Sequence, residues 1–219
     1  LTRTSVDVDL IAGTAPEDDR LMLPQANLLV PALVPAQSLL GFRYYPGYGA
    51  AIDAAIARHP GAPTIVHDNG IWAPPNMAAI AAAQSRGLRH VISPHGMLQP
   101  WALDYHAWRK KLAMWGYQRR ALETSAGIFA TAEAERAAVR RLLPHVPIAI
   151  IPNGVDTPQQ LPEADLNSNK VLFMSRLHPT KNLIGLIDAW AIVCARPELA
   201  TWRLTIAGPD DMLTAARII

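Results

Sequence analysis

The sequence predicts an α/β protein with doubly wound parallel sheets, arranged as two domains of which the second is incomplete. Three observations carry this reading. Short β-branched and apolar runs alternate along the chain with longer segments of helical period, and strands separated by helices pair in parallel through right-handed crossovers. A polar stretch with three prolines, Pro152 to Asn169, interrupts that alternation, which then restarts. Half of the 219 residues are hydrophobic and 17% are charged, enough apolar surface for a core and too much for a disordered chain.

In order, residues 5–11 (SVDVDLI) alternate as a strand does, and within the proline-rich 15–46 only Leu28-Leu29-Val30 reads as one. A helix fits 48–59, closed by Pro60-Gly61, followed by strand 64–66 and a loop from His67 to Gly70. The next helix opens at Pro74-Pro75, as proline allows in a first turn, and stops at Gly87. Strand 89–93 leads into the loop Pro94-His95-Gly96, a long helix covers about 105–124, and strand 127–130 comes next. Thr131 is the expected N-cap of helix 132–143, with Glu133 and Glu135 in its positive first turn. Strand 147–151 completes a first domain, 1–152; 153–169 reads as a linker; strand 170–174, helix 181–195, strand 202–207 and a helix from about Met212 open a second domain, 170–219. Leu1 is not methionine and the last nine residues read as a helix just begun, so a piece of a longer chain is expected.

Charge and composition exclude several functions. A net charge of +2 leaves no global basic excess for a dedicated nucleic-acid binder. The single cysteine, Cys194, makes neither an internal disulfide nor a metal-thiolate cluster and points to a reducing, cytoplasmic setting. No apolar run is long enough to span a membrane, and the first thirty residues do not read as a signal peptide. Phosphate-loop, zinc-protease and nucleophile-elbow motifs are absent. Gly47-Tyr48-Gly49 starts a dinucleotide fingerprint that Ile52 breaks, and Asp7-Val8-Asp9 reads as the polar face of a strand.

Ligands of open α/β sheets bind beyond the carboxyl ends of the strands, which singles out four loops. In 175–181 (SRLHPTK), Arg176 offers a planar fork and Lys181 a mobile charge five residues on, next to a helix start. That combination describes a pyrophosphate site, or two solvated surface cations. His95, between Pro94 and Gly96, can donate to a sugar hydroxyl or a phosphate, or it is a loop histidine bonded to the backbone. Gly96 lets the chain turn sharply or approach a ligand. His67 is a weaker case, with a solvated loop side chain the preferred reading. Asn153-Gly154-Val155-Asp156 fits a hinge better than a hairpin, and Gly208-Pro209-Asp210 lines a pocket or makes an ordinary turn. In helix 105–124, Trp108, Leu112, Trp115 and Leu122 are spaced to share one broad face, with Arg109, Lys110, Lys111, Arg119 and Arg120 beside it. Such a helix packs on the core with a solvated back, the preferred reading, or lies on an anionic membrane surface.

Five segments together, SPHGMLQPWAL (93–103), TAEAE (131–135), IPNGVD (151–156), FMSRLHPTKN (173–182) and TIAGPDD (205–211), resemble family 4 glycosyltransferases in order and spacing. The resemblance covers about residues 60–211. It implies two Rossmann-like domains (the GT-B architecture) around a cleft. It also implies transfer of a sugar from a nucleotide-diphospho-sugar to a sugar, lipid-linked or other acceptor, with retained anomeric configuration. The expected setting is polysaccharide or glycoconjugate assembly, with no cofactor and no essential metal. Carried over by position, the catalytic residues are His95, facing the cleft, and Arg176 and Lys181, holding the donor diphosphate. His67, Gly96, Asn153 and Gly208 are candidates to line the cleft. Ser175 replaces the family's frequent glycine, the early glycine-rich loop is missing, and the paired-glutamate motif is expected beyond Ile219. A chain without those glutamates would instead be a non-catalytic nucleotide- or phosphate-binding module, or an inactive remnant of such an enzyme.

Overall fold

A computed structural model describes residues 6–14, 30–155, 168–178 and 181–209. The chain divides into two compact units, residues 1–155 and 156–219.

Unit 1 is organised by a four-stranded parallel sheet: β5 (Ile65–Asn69), β6 (Arg89–Ser93), β7 (Gly127–Ala130) and β8 (Ile148–Ile150), side by side in sequence order. Register pairs Ile65 with Arg89, Ile92 with Ile128 and Ile128 with Ile148. All four strands therefore end at the same edge. Helices make the crossovers: α2 (Pro74–Ser85) joins β5 to β6, and α6 (Glu133–Leu142) joins β7 to β8. The core collects Ile80 from α2, Ile92 and Ile128 from the sheet, and Val139 from α6, with Leu98, Leu122 and Leu143. Ile92, Leu122, Ile128 and Val139 are fully buried, each contributing roughly 1.5–3 kcal/mol of transfer free energy.

Apart from the helix expected over 105–124, the expected elements between 48 and 150 are present, with corrections in detail. His67 to Asn69 belong to β5 rather than to a loop, because Asp68 and Asn69 pair in register with Ile92 and Ser93. The N-cap of α6 is Ala132, not Thr131, and it makes no side-chain cap. The first strand is β1 (Ile11–Thr14), not 5–11. Asp7 and Asp9 lie outside it because they reach the end of α1 (Tyr48–Arg58): Arg58 Nη2 stands 2.6 Å from Asp9 Oδ1, and the His59 ring 3.3 Å from both carboxylates. Strand β1 pairs in parallel with β2 (Ala32–Pro35), so Val30 is not the strand expected there and is open to solvent. Leu28 and Leu29 lie outside the described residues, as does the helix from Met212. An antiparallel hairpin, β3 (Gln37–Leu39) with β4 (Phe42–Tyr44), was hidden in sequence because Leu40 occupies a left-handed turn position, φ 51°, that normally calls for Asn or Gly.

A further correction concerns 105–124. The segment is not one helix but α4 (Ala107–Ala113), a π-helical turn (Met114–Gln118) and α5 (Arg119–Glu123), preceded by α3 (Pro100–Asp104). A π turn inserts one extra residue, rotating the residues after it by about 100° relative to those before it. Leu122 therefore reaches the core while Trp108, Leu112 and Trp115 are left exposed, where an unbroken helix would have shared them on one face. Within the π turn, buried Gln118 accepts from the Trp72 N–H at 2.9 Å and Tyr117 donates to the Trp72 carbonyl at 3.0 Å.

Unit 2 contains β9 (Lys170–Met174) and β10 (Arg203–Ala207), paired in parallel from Lys170–Arg203 to Met174–Ala207, with α7 (Leu183–Cys194) as crossover. Among the described residues, no helix is long and apolar enough to cross a membrane.

The π turn sets an expectation. Leu122→Ala should cost about 2–5 kcal/mol in urea unfolding, whereas Trp115→Ala should stay within about 0.5 kcal/mol. Equal losses would mean that the two side chains share the core.

Candidate active site

The carboxyl edge of the unit 1 sheet gathers several of the predicted residues. Strand β6 ends at buried Ser93, and the chain then turns through Pro94-His95-Gly96 before α3. His95 and Gly96 both take left-handed conformations, φ 49° and 79°. Glycine tolerates this; for His95 it is a strained state, costing on the order of 1–3 kcal/mol, that its surroundings must hold.

Glu135 does the holding. It sits in the first turn of α6 and is 1% exposed. One carboxylate oxygen accepts from the Gly96 N–H at 2.5 Å; the other accepts from the N–H and hydroxyl of Thr131 at 2.7 and 2.8 Å. Burial works against the charge, but the bonds from Gly96 and Thr131, helped by nearby His95, win, and the carboxyl is held below its ordinary range. A single buried anion thus ties the loop after β6 to the corner between β7 and α6. In the sequence Glu135 stands in the helix's first turn with nothing but its position to mark this role. The available signal was a glutamate at the third helical position, where a capping box reaches back; here it reaches past Ala132 to Thr131.

The His95 side chain is exposed, with Nε2 3.2 Å from Asn69 Oδ1 at the end of β5. With the amide oxygen accepting, Nε2 carries the proton and Nδ1 is left as the acceptor end. His67 Nε2 lies 2.7 Å from Ser93 Oγ, and its ring meets Phe129 edge-on, centroids 5.3 Å apart. Burial, and then the proximity of His95, depress the His67 pKa. The two histidines therefore belong to one cluster, and His67 is the one held toward the neutral form.

Asp68, next in β5, is buried. Asn76 donates to its Oδ1 at 2.7 Å, while Oδ2 has no partner among the described residues. Burial raises its pKa against the opposing Asn76 bond and His90. Burial and then Asp68 push the neighbouring Tyr48 hydroxyl up to about 12. Neither Asp68 nor Glu135 is a free, exposed carboxylate; what this edge offers a ligand is imidazole, amide and hydroxyl.

Asn153 is exposed three residues beyond β8, the strand at the far side of the sheet from β5. The structure does not bond it to either histidine.

In unit 2, Arg176 and Lys181 flank the junction from β9 to α7, and both are exposed. Between them Leu177 is buried and anchored by its N–H to the Pro209 carbonyl at 2.9 Å, while the Lys181 N–H bonds the His178 carbonyl at 2.8 Å. The helix opens at Leu183, two residues later than expected, with Asn182 at φ 49° and no side-chain cap. Gly208 is required where it stands: at φ 149°, a Cβ there would lie 1.8 Å from the Ser175 carbonyl oxygen. Having no side chain, it lets the loop carrying Arg176 lie against the end of β10.

Two substitutions probe these supports. Glu135→Gln should cost about 1–3 kcal/mol at neutral pH by misaligning the bonds to Gly96 and Thr131. A depressed carboxylate contributes stability above its unfolded pKa and loses it as pH falls through the folded value. The deficit should therefore shrink as pH falls below the ordinary glutamate range, read by denaturant unfolding. Gly208→Ala should destabilise unit 2 by at least about 2 kcal/mol, seen as a lowered unfolding midpoint.

No curated protein matches the chain significantly. A family model does: Glycosyltransferase Family 4, over residues 1–159, which includes the whole four-stranded sheet and the His67–His95–Glu135 edge. The chain belongs to glycosyltransferase family 4, and glycosyl transfer, with a sugar donor and an acceptor, is its chemistry.

Proposed function

We propose that this glycosyltransferase takes its sugar from a nucleotide-diphospho-sugar and passes it to a sugar, lipid-linked or other acceptor with retention of anomeric configuration, in cytoplasmic polysaccharide or glycoconjugate assembly. The observation that carries the reading is the pinned His95: an exposed imidazole in a strained loop, held by a buried anion at the carboxyl edge of a parallel sheet. Strain maintained at such cost belongs with a group that must meet a ligand.

In this reading unit 1, residues 1–155, is the acceptor-side domain and unit 2 opens the nucleotide-sugar domain. The bond between the anomeric carbon and the diphosphate oxygen breaks, an acceptor hydroxyl oxygen bonds to that carbon on the same face and gives its proton to the departing phosphate, and the nucleoside diphosphate leaves with negative charge growing on its phosphates. Arg176 and Lys181 meet that charge, the first as a two-pronged donor and the second as a point charge. His95 contacts the transferred sugar or its phosphate, with Nδ1 free to accept from a sugar hydroxyl while Asn69 holds the proton on Nε2. His67 and Gly96 line the same edge, while Asn153 marks the passage between units and Gly208 shapes the Arg176 loop. No metal and no cofactor enter; the cations of the protein do the electrostatic work.

Arg176→Ala tests this. Loss of a charge-assisted pair of hydrogen bonds, worth about 1.5–3 kcal/mol, should weaken binding of the matching nucleoside diphosphate to the native protein roughly ten- to a hundredfold. Calorimetric titration with UDP, GDP and ADP reads it. Unchanged affinity in the variant would remove Arg176 from the donor site.

A further inference from the structure

The π turn leaves an apolar surface that the core does not use. Trp108, Leu112 and Trp115 are 66%, 60% and 86% exposed. With Arg109, Gly116 and Tyr117 they line an open groove of about 440 Å³. Large apolar side chains are normally scattered over a surface; three lining one groove mark a contact site.

The charges around the groove say what covers it. Segment 105–124 carries five Lys and Arg against Glu123 alone, more than the +2 excess of the whole chain. Arg109 lies over the Trp108 ring, 5.3 Å from its centroid. Lys110 bonds the Ala102 carbonyl and sits 5.7 Å from the Tyr105 ring centroid. Arg119 pairs with Glu123 at 2.8 Å. Lys111 and Arg120 have no ion pair among the described residues. Tryptophan flanked by unpaired cations suits one environment above others: the headgroup layer of an anionic bilayer, which accepts amphipathic rings at its boundary and attracts the cations.

We propose that α4 and the π turn form a peripheral membrane contact, with Trp108, Leu112 and Trp115 inserted at the headgroup boundary and Lys111 and Arg120 on the anionic surface. The contact stands independently of the donor chemistry proposed above. Its consequence for that chemistry is that a lipid-linked acceptor would be presented beside unit 1.

The test is co-sedimentation of the native protein with vesicles of phosphatidylcholine alone and of phosphatidylcholine with about one-third phosphatidylglycerol, without any sugar donor present. Binding should occur on the anionic vesicles and fall with added salt. Lys111→Ser with Arg120→Ser should weaken it roughly thirtyfold. Trp108→Ser with Trp115→Ser should abolish it while leaving the far-ultraviolet circular dichroism unchanged, since both rings are outside the core. Absence of binding, or equal binding to both vesicle types, would overturn the proposal. So would self-association that the double tryptophan variant abolishes, because the face would then belong to a second copy. Because no donor is used, failure here leaves the transferase reading untouched, and failure of nucleotide binding leaves this one untouched.

Discussion

The buried carboxylate of Glu135 is the constraint on which the candidate site depends. A carboxylate taken out of water is tolerated only when its oxygens are satisfied. Here Gly96 and Thr131 supply three donors, so satisfying the anion fixes two loops from different strands at once. The strain in His95 is the counterpart of that demand: its left-handed backbone is what aims the Gly96 N–H at Glu135. Pro94 and Leu98, both nearly inaccessible to solvent, brace the turn from either side. Chemistry and stability thus share one side chain that no substrate needs to touch.

The same edge shows why imidazole and cations, rather than carboxylates, carry the proposed chemistry. Glu135 is committed to the backbone, and Asp68 is buried with its pKa raised. A mechanism with two carboxylates flanking the sugar needs one on each side of the scissile bond, and these two are not available for it. An exposed histidine in unit 1, and an arginine and lysine at a strand-to-helix junction in unit 2, suit a reaction whose difficulty is the charge on a departing diphosphate.

Much of the fold was legible because the central strands are short apolar runs bounded by breakers. RHVIS (89–93), GIFA (127–130) and KVLFM (170–174) are strands over those very residues. Pro74-Pro75 and Gly87 bracket α2 for the same reason. Legibility failed where tertiary contact overrode local pattern. Asp7 and Asp9 alternate like a strand yet serve Arg58 and His59. Leu40 takes a left-handed position in the Leu40-Gly41 turn that its residue type does not announce. The π turn cannot be seen in periodicity, because a one-residue insertion leaves the spacing of Trp108, Leu112, Trp115 and Leu122 looking like an uninterrupted face. The sequence marked His95 and Gly96 after a strand of unit 1 and Arg176 and Lys181 after a strand of unit 2, and each placement in its own unit is observed. It did not mark Glu135, whose importance lies in what it bonds rather than in its residue type.

Sugar transfer from a nucleotide-linked donor at a site containing His95, as proposed, is read by release of nucleoside diphosphate by the native protein from UDP-, GDP- and ADP-linked sugars, with proton NMR of the sugar product. The expected result is release from one of these donors, a product with the donor's anomeric configuration, and a rate at least about tenfold lower in His95→Ala, a loss of about 1.4 kcal/mol or more in transition-state stabilisation. An inverted product, or a His95→Ala rate equal to that of the unaltered protein, would contradict it.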